Sequence, residues 1–309
     1  MRKYVVDQSG NGDFRTVAEA IAAAPDHAVE RTLIVVKNGH YKEKITVPSS
    51  KTKLSLLGES RDGAVIVYDD SVSTLKPDGT KMTTFDTPSF TILAEDFYAE
   101  NITFANSASR LEKRGQALAL HVEGDRAVFR NVAMLGHQDT LYTPGNGRQF
   151  YDSCYIEGHV DFIFGSATAV FKDCELHSLD RHNGYVTAAS TDESQPYGYV
   201  FLNCRLTGAA PPATVSLGRP WRPHGSAIFV NTWMGSHIRP EGWDNWRDPA
   251  KEKTARYAEY GSVGPGAESA ARVDWARYLT EEEASALTVR SVLEGRDGWN
   301  PEEVRAAVI

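Results

Sequence analysis

"QFYDSCYIEG" (149–158) repeats, column for column, the pattern of "AVFRNVAMLG" (127–136). "AVFKDCELHS" (169–178), "YVFLNCRLTG" (199–208) and "AIFVNTWMGS" (227–236) repeat it three times more. The third position is aromatic in each: Phe129, Tyr151, Phe171, Phe201, Phe229. Two residues on stands a small polar residue, Asn131, Ser153, Asp173, Asn203 or Asn231, and the next column reads Val132, Cys154, Cys174, Cys204, Thr232. The aromatic recurs at intervals of 22, 20, 30 and 28 residues. Units of that size, built of short β-rich runs, predict a parallel β-solenoid in which every coil adds one rung to each sheet. A β-sandwich is the competitor, but hairpin turns do not explain one column persisting over a hundred residues. The longer intervals are read as coils with looped-out insertions, such as "DRHNGYVTAASTDESQPYG" (180–198).

The same stacking bears on the cysteines. Rungs about 4.8 Å apart would pile Cys154, Cys174 and Cys204 inside the solenoid. The spacing admits both small buried thiols and a Cys154–Cys174 disulfide, since bridged Cα atoms lie roughly 4.4–6.8 Å apart. Three cysteines, an odd number without a C-x-x-C pair, do not fix the compartment.

Outside the repeats, "TVAEAIAAAP" (16–25) predicts a capping helix, with Thr16 and Glu19 as a capping box and Pro25 as its stop. Gly10 and Gly12 before it are a turn, because no βαβ alternation follows. After residue 236 comes the Trp-rich "RPEGWDNW" and a charged tail with one expected helix, "TEEEASALTVRSVL" (280–293), opened by Thr280 and Glu283. The expected organisation is one domain over 1–309: strand and capping helix to 29, coils over 30–236, and a tail over 237–309.

Composition narrows the function. The formal charge of −8 argues against nucleic acid as partner, and no apolar stretch nears the roughly 20 residues of a membrane span. "MRKYVVDQSGNGDF" lacks the apolar core of a signal peptide. The expectation is a secreted protein where a leader has been removed, and a cytoplasmic one otherwise. There is no G-x-S-x-G elbow, HExxH or Walker loop, so the familiar catalytic machinery is absent.

What remains is a pair of aspartates. Asp139 in "GHQDTLYT" and Asp161 in "GHVDFIFG" each follow Gly-His-x and lie 22 residues apart, one coil length. Neighbouring carboxylates in partly apolar surroundings cannot both ionise easily, so one becomes an acid and the other a base or nucleophile. A solvated polar ladder is the ordinary reading of stacked aspartates, but Tyr142, Phe162 and Phe164 bring too much aromatic surface for it. Asp161 itself reads as a residue inside a buried strand with Val160, Phe162, Ile163 and Phe164, where it needs a cationic partner or a task. In "SLGRPWRPHG" (216–225), Arg219 can hold a carboxylate ionised and Trp221 can stack on a sugar. Gln138 and Gln116 carry amide donors suited to an oxyanion.

These segments together resemble the pectin methylesterase (pectinesterase) family. The likeness runs through "GNGDFRTVAEAI", "NGHYKEKI", "ENITFANSA", "QALAL", "GHQDTLY", "RQFYDSCYIEGHVDFIFGSA", "LGRPW", "GW" followed by "W", and "AEYGSVGPGA". The resemblance implies an all-β, right-handed parallel β-helix that hydrolyses methyl esters on galacturonate units of pectin, without a metal or organic cofactor; a monomer is expected. It implies Asp161 as nucleophile, Asp139 as general acid/base, Gln116 and Gln138 as oxyanion donors, and Arg219 as the residue that orients Asp161. Trp221, Phe164, Trp246 and Thr84 of "TTFDTPSF" are the substrate-binding residues it implies, Thr84 in a stretch that departs from the commoner "SAT" pattern. The alternatives are a non-catalytic polysaccharide-binding solenoid and a family member acting on another ester or thioester. A pectate lyase or polygalacturonase would need a calcium cluster or a different Asp set.

Overall fold

A computed structural model describes residues 2–108, 115–268 and 271–308, with side chains as far as Val304. Among the described residues the strands form three sheets, with every neighbouring strand pair parallel. An eleven-stranded sheet runs from Arg2–Val6 to Arg277–Tyr278, an eight-stranded one from Gly39–Lys42 to Trp233–Met234, and a seven-stranded one from Ile45–Val47 to Val215–Gly218. One coil visits all three: Arg148–Asp152, Tyr155–Gly158 and Ile163–Gly165, stacked on Thr168–Lys172, Glu175–Ser178 and Gly184–Ala189. The fold is a right-handed parallel β-helix.

The repeated columns explain how successive coils stay in register. Phe129, Tyr151, Phe171, Phe201 and Phe229 are register partners in the eleven-stranded sheet, fully buried. Their ring centroids stack at 4.9, 4.5, 4.7 and 4.3 Å with interplanar angles of 6°, 6°, 16° and 7°. Each stacked pair adds about 0.5–1.5 kcal/mol to its area burial, and a slip of one residue would turn the whole ladder outward. The small polar column is the corner between the eleven- and eight-stranded sheets. Asn101, Asn131, Ser153, Asp173, Asn203 and Asn231 there have φ between 47° and 55°. That left-handed conformation costs most L-residues roughly 1–2 kcal/mol and is visited most readily, glycine apart, by Asn and Asp.

The third column lies inside. Cys154, Cys174 and Cys204 are buried free thiols, so the Cys154–Cys174 bridge is not formed. Their Sγ atoms donate to the carbonyls of Phe129, Tyr151 and Phe171, one coil back, at 3.5, 3.4 and 3.3 Å. Burial pushes the Cys154 and Cys174 thiols well above their ordinary pKa, which makes them unreactive.

Three sequence expectations change. Residues 180–198 are not simply looped out, because Gly184–Ala189 is a strand of the seven-stranded sheet with a parallel neighbour on each side. The segment 280–293 carries two helices where one was expected: Leu287 is extended, and Thr288 caps a second helix, Val289–Leu293, by accepting from the Ser291 N–H. A further helix, Pro301–Val308, follows, and Arg256–Tyr260 adds another rung to the eleven-stranded sheet. The tail covers the outer face of that sheet, where Val289, Val292 and Leu293 pack with Val128, Phe150, Val170 and Val200. At the other end, Val17–Ala23 is the expected capping helix, with its Thr16–Glu19 box formed and Val17, Ala20 and Ile21 buried.

The corner column is directly testable. Asn203→Gly should leave stability within about 0.5 kcal/mol of wild type, whereas Asn203→Val should cost roughly 1–2 kcal/mol or more at φ 54°. Denaturant midpoints of the two variants check this, and equal stabilities would remove the conformational explanation.

Candidate active site

The second corner of each coil, between the eight- and seven-stranded sheets, carries the two aspartates. Asp161 lies just before the strand Ile163–Gly165 and not within it, and Asp139 just before Leu141–Thr143. Both are left-handed, with φ 51° and 65°. This is why Asp161 is compatible with its apolar neighbours: the corner turns Phe162 into the core, 0% exposed, and leaves the carboxylate on the outer face. The glycine of each Gly-His-x-Asp is needed for close approach. A Cβ on Gly158 would lie 2.2 Å from Phe162 Cβ, and one on Gly136 would lie 2.6 Å from Thr140 Oγ1. Gln138 forms a parallel bridge with Val160, and the Asp139 N–H donates to the Val160 carbonyl at 3.0 Å. Asp139 is therefore stacked one coil from Asp161.

The aspartates open into a cleft of about 300 Å³ lined by Thr84, Phe85, Gln116, Gln138, Asp139, Asp161, Phe164, Ala188, Arg219, Trp221 and Trp246. All nine residues singled out in the sequence for catalysis or substrate binding are thus together. A larger groove of about 590 Å³ on the eight-stranded sheet, with Val65, Ala105 and Leu135 in its lining, contains none of them. Arg219 Nε and Nη2 donate to Asp161 Oδ1 and Oδ2 at 2.9 and 2.6 Å, a bidentate fork. Among the described residues no donor reaches the Asp139 carboxylate.

The electrostatics follow from that asymmetry. Asp139 and Asp161 are 8% and 7% exposed. Burial raises the Asp139 carboxyl well above its ordinary value and Asp161 adds to the rise, with Arg219 opposing it more weakly. Burial also raises Asp161, but there the Arg219 hydrogen bonds and charge pull back, while Asp244 adds a small rise. Protons therefore stay longer on Asp139.

One wall of the cleft is aromatic. Phe164 stacks on Tyr142 at 4.6 Å, Phe85 meets Tyr142 at 5.0 Å, and Trp221 stands 5.7 Å from Phe164. Phe85, half exposed, escaped the sequence reading although it follows Thr84; its only signal was an aromatic in a polar turn. His121 touches Tyr142 at 5.0 Å, and burial lowers it to about 4, so its imidazole is neutral at physiological pH. Trp246, expected to bind substrate, has its ring 3.8 Å from Arg219 Cζ. Tyr185 lies 3.7 Å from the same carbon and had no sequence signal, being inside the segment taken as an insertion.

Because the folded protein raises the Asp139 pKa, burial of this group favours folding in acid and opposes it as pH rises. Below about pH 4 the carboxyl is protonated in both states. Above that, the unfolded chain ionises first and stability is lost through the folded value. Asp139→Asn should therefore melt higher than wild type at pH 7, with the gap closing near pH 4. A pH series of Tm values checks this, and a gap independent of pH would contradict the burial argument.

Comparison with known proteins agrees with this geometry. The Pectinesterase family model matches residues 3–296. Pectinesterase 31 of Arabidopsis thaliana is 39% identical over 298 residues, covering 95% of this chain and 92% of that protein. The pectin methylesterase from carrot superposes with a TM-score of 0.89 at 32% identity, covering 100% of this chain and 97% of that one. A pectin methylesterase crystallised with a hexasaccharide gives 0.86 at 37% identity, covering 97% and 98%. With its three-sheet helix, its paired aspartates and these likenesses over almost its whole length, the chain belongs to the pectinesterase family.

Proposed function

We propose that the chain hydrolyses methyl esters of galacturonate units in pectin, releasing methanol, through an acyl intermediate on Asp161. The observation that carries this reading is the unequal treatment of two stacked carboxylates: Arg219 forks onto Asp161, while among the described residues no donor reaches Asp139. A carboxylate held ionised and aimed can attack, while its protonated neighbour can donate.

Asp161 attacks the ester carbonyl carbon, and the tetrahedral oxyanion is held by the amide groups of Gln116 and Gln138, which line the same cleft. As the C–O bond to the methoxy group breaks, Asp139 gives its proton to the departing oxygen and methanol leaves. Asp139, now a carboxylate, takes a proton from water. The resulting hydroxide attacks the acyl carbon, and Asp161 departs as a carboxylate. Arg219 keeps the Asp161 fork in place throughout. Trp221, Phe164 and Thr84 face the sugar chain. Trp246 offers it less surface than its sequence motif implies, because Arg219 occupies one of its ring faces.

Incubation with methyl-esterified pectin should release methanol without new reducing ends or unsaturated uronate. Those two products would mark a glycosidase and a lyase, and no product at all a binding solenoid. Asp161→Asn and Asp139→Asn should each lower kcat by roughly 10³-fold or more, with the double variant little worse than either alone. Arg219→Lys should stay badly impaired, since an ammonium does not reproduce the planar fork. Hydroxylamine under turnover should trap an adduct on Asp161; a fully active enzyme giving no adduct would make Asp161 a general base instead. The acid limb of the pH profile should follow Asp161 and the alkaline limb Asp139.

A further inference from the structure

We propose that Tyr185 is a positioning residue of this reaction, its ring and that of Trp246 clamping the Arg219 guanidinium in the plane where it forks onto Asp161. The proposal rests on the roles given above to Asp161 and Arg219.

Both ring centroids lie within 3.8 Å of Arg219 Cζ, well inside the roughly 6 Å limit of a cation–π contact. Among the described residues Tyr185 and Trp246 make no ring contact with each other. Two rings so close to one carbon, yet apart from one another, cover opposite faces of the guanidinium. The backbone of Arg219 is anchored by its N–H, which donates to the Thr187 carbonyl at 3.0 Å. The side chain can then escape its fork by tilting out of plane, and the two rings block that motion.

The β-helix delivers Tyr185 to this place by register. Ile163 pairs with Thr187, and Asp161 and Tyr185 each stand two residues before that pair, so Tyr185 follows Asp161 one coil on. Tyr185 is 6% exposed and lies outside the cleft lining, so it acts through Arg219 and not on substrate. Its hydroxyl, 3.3 Å from Asn183 Oδ1, is engaged away from the guanidinium. Trp246 comes from the following loop, at φ 60°, with its N–H donating to Asp244 Oδ1 at 2.7 Å. The charged and titratable groups around this centre are Asp139 from the preceding coil, Asp244 and Lys251 from the loops beyond, and the Tyr257 phenol from the core. Burial raises the Asp161 carboxyl and the Arg219 guanidinium opposes that rise, so the angle of Arg219 governs how far it is held back.

The experiment compares Tyr185→Phe, Tyr185→Leu and Tyr185→Ala with wild type and Asp161→Asn on methyl-esterified pectin, with a thermal melt of each. Tyr185→Ala should lower kcat by about 10–50-fold with KM within about twofold, and move the acid limb of kcat/KM upward by about half a pH unit or more. The limb moves up because a misaligned fork no longer holds the Asp161 pKa down. Tyr185→Phe should bring rate and limb back to within about threefold and about 0.2 units of wild type, since the ring face is what clamps. Tyr185→Leu should fall between, and it gives the answer if the alanine variant does not fold. An unmoved acid limb in both Leu and Ala variants, whatever their kcat, overturns the proposal, as does a Leu variant equal to Phe in both readouts. Normal turnover by Asp161→Asn would instead overturn the reading beneath it. An inactive Asp161→Asn beside wild-type-like Tyr185 variants would sink the clamp alone.

Discussion

Each coil must return the chain to three parallel pairings about 4.8 Å from the last, and the other features of this molecule follow from that closure. It needs a sharp corner at the same point of every turn, and the left-handed Asn and Asp residues supply it. It needs a filler that repeats, and stacked aromatic rings with small thiols beside them supply that. It also converts sequence spacing into proximity: residues one coil apart become neighbours. Two aspartates 22 residues apart thereby become a coupled pair without any loop having to bring them together.

The corner conformation links fold to chemistry. A residue there faces outward while its successor faces the core, so an acidic side chain can sit amid apolar sequence and still reach a cleft. Asp is among the few residues that tolerate the required φ, so the corner and the proposed catalysis ask for the same side chain. Desolvation then raises both carboxyls, and one guanidinium divides them. The protein accepts a buried carboxylate at Asp139 that opposes folding above acid pH, and a long core with stacked rings offsets it.

The repeat, the parallel sheets and the paired aspartates were legible because each is periodic, and a periodic feature needs no knowledge of loop conformation. The strand Gly184–Ala189 was not, since its coil is lengthened and its aromatic, Tyr185, points outward instead of joining the ladder. The break between the two tail helices was hidden by a continuous run of helix formers, with Thr288 and Ser291 as its one local sign. Asp161 was assigned to a strand interior because alternation cannot reveal a left-handed corner. Of the site, the residues in short motifs were visible. Phe85 and Tyr185 were not, because their roles arise from contacts their rings make across coils, with Tyr142 and with Arg219.

Charge decides how such a cleft treats its product. The chain carries a formal −8, and the strongest cation in the cleft, Arg219, is already committed to Asp161. A neutral methyl ester can settle against Phe164, Trp221 and Phe85 with little electrostatic cost. Hydrolysis then creates a carboxylate beside that of Asp161, in a low-dielectric pocket where like charges repel strongly. In the proposed cycle, binding of substrate therefore rests on aromatic surface, and departure of product is driven by the charge the reaction itself creates. An additional free cation beside the aspartates would hold the product and lower the Asp139 pKa, depriving the enzyme of its acid. On the proposed mechanism the pairing of Arg219 with Asp161 serves both ends of the cycle: it keeps the proposed nucleophile ionised and leaves the new carboxylate without a partner in Arg219.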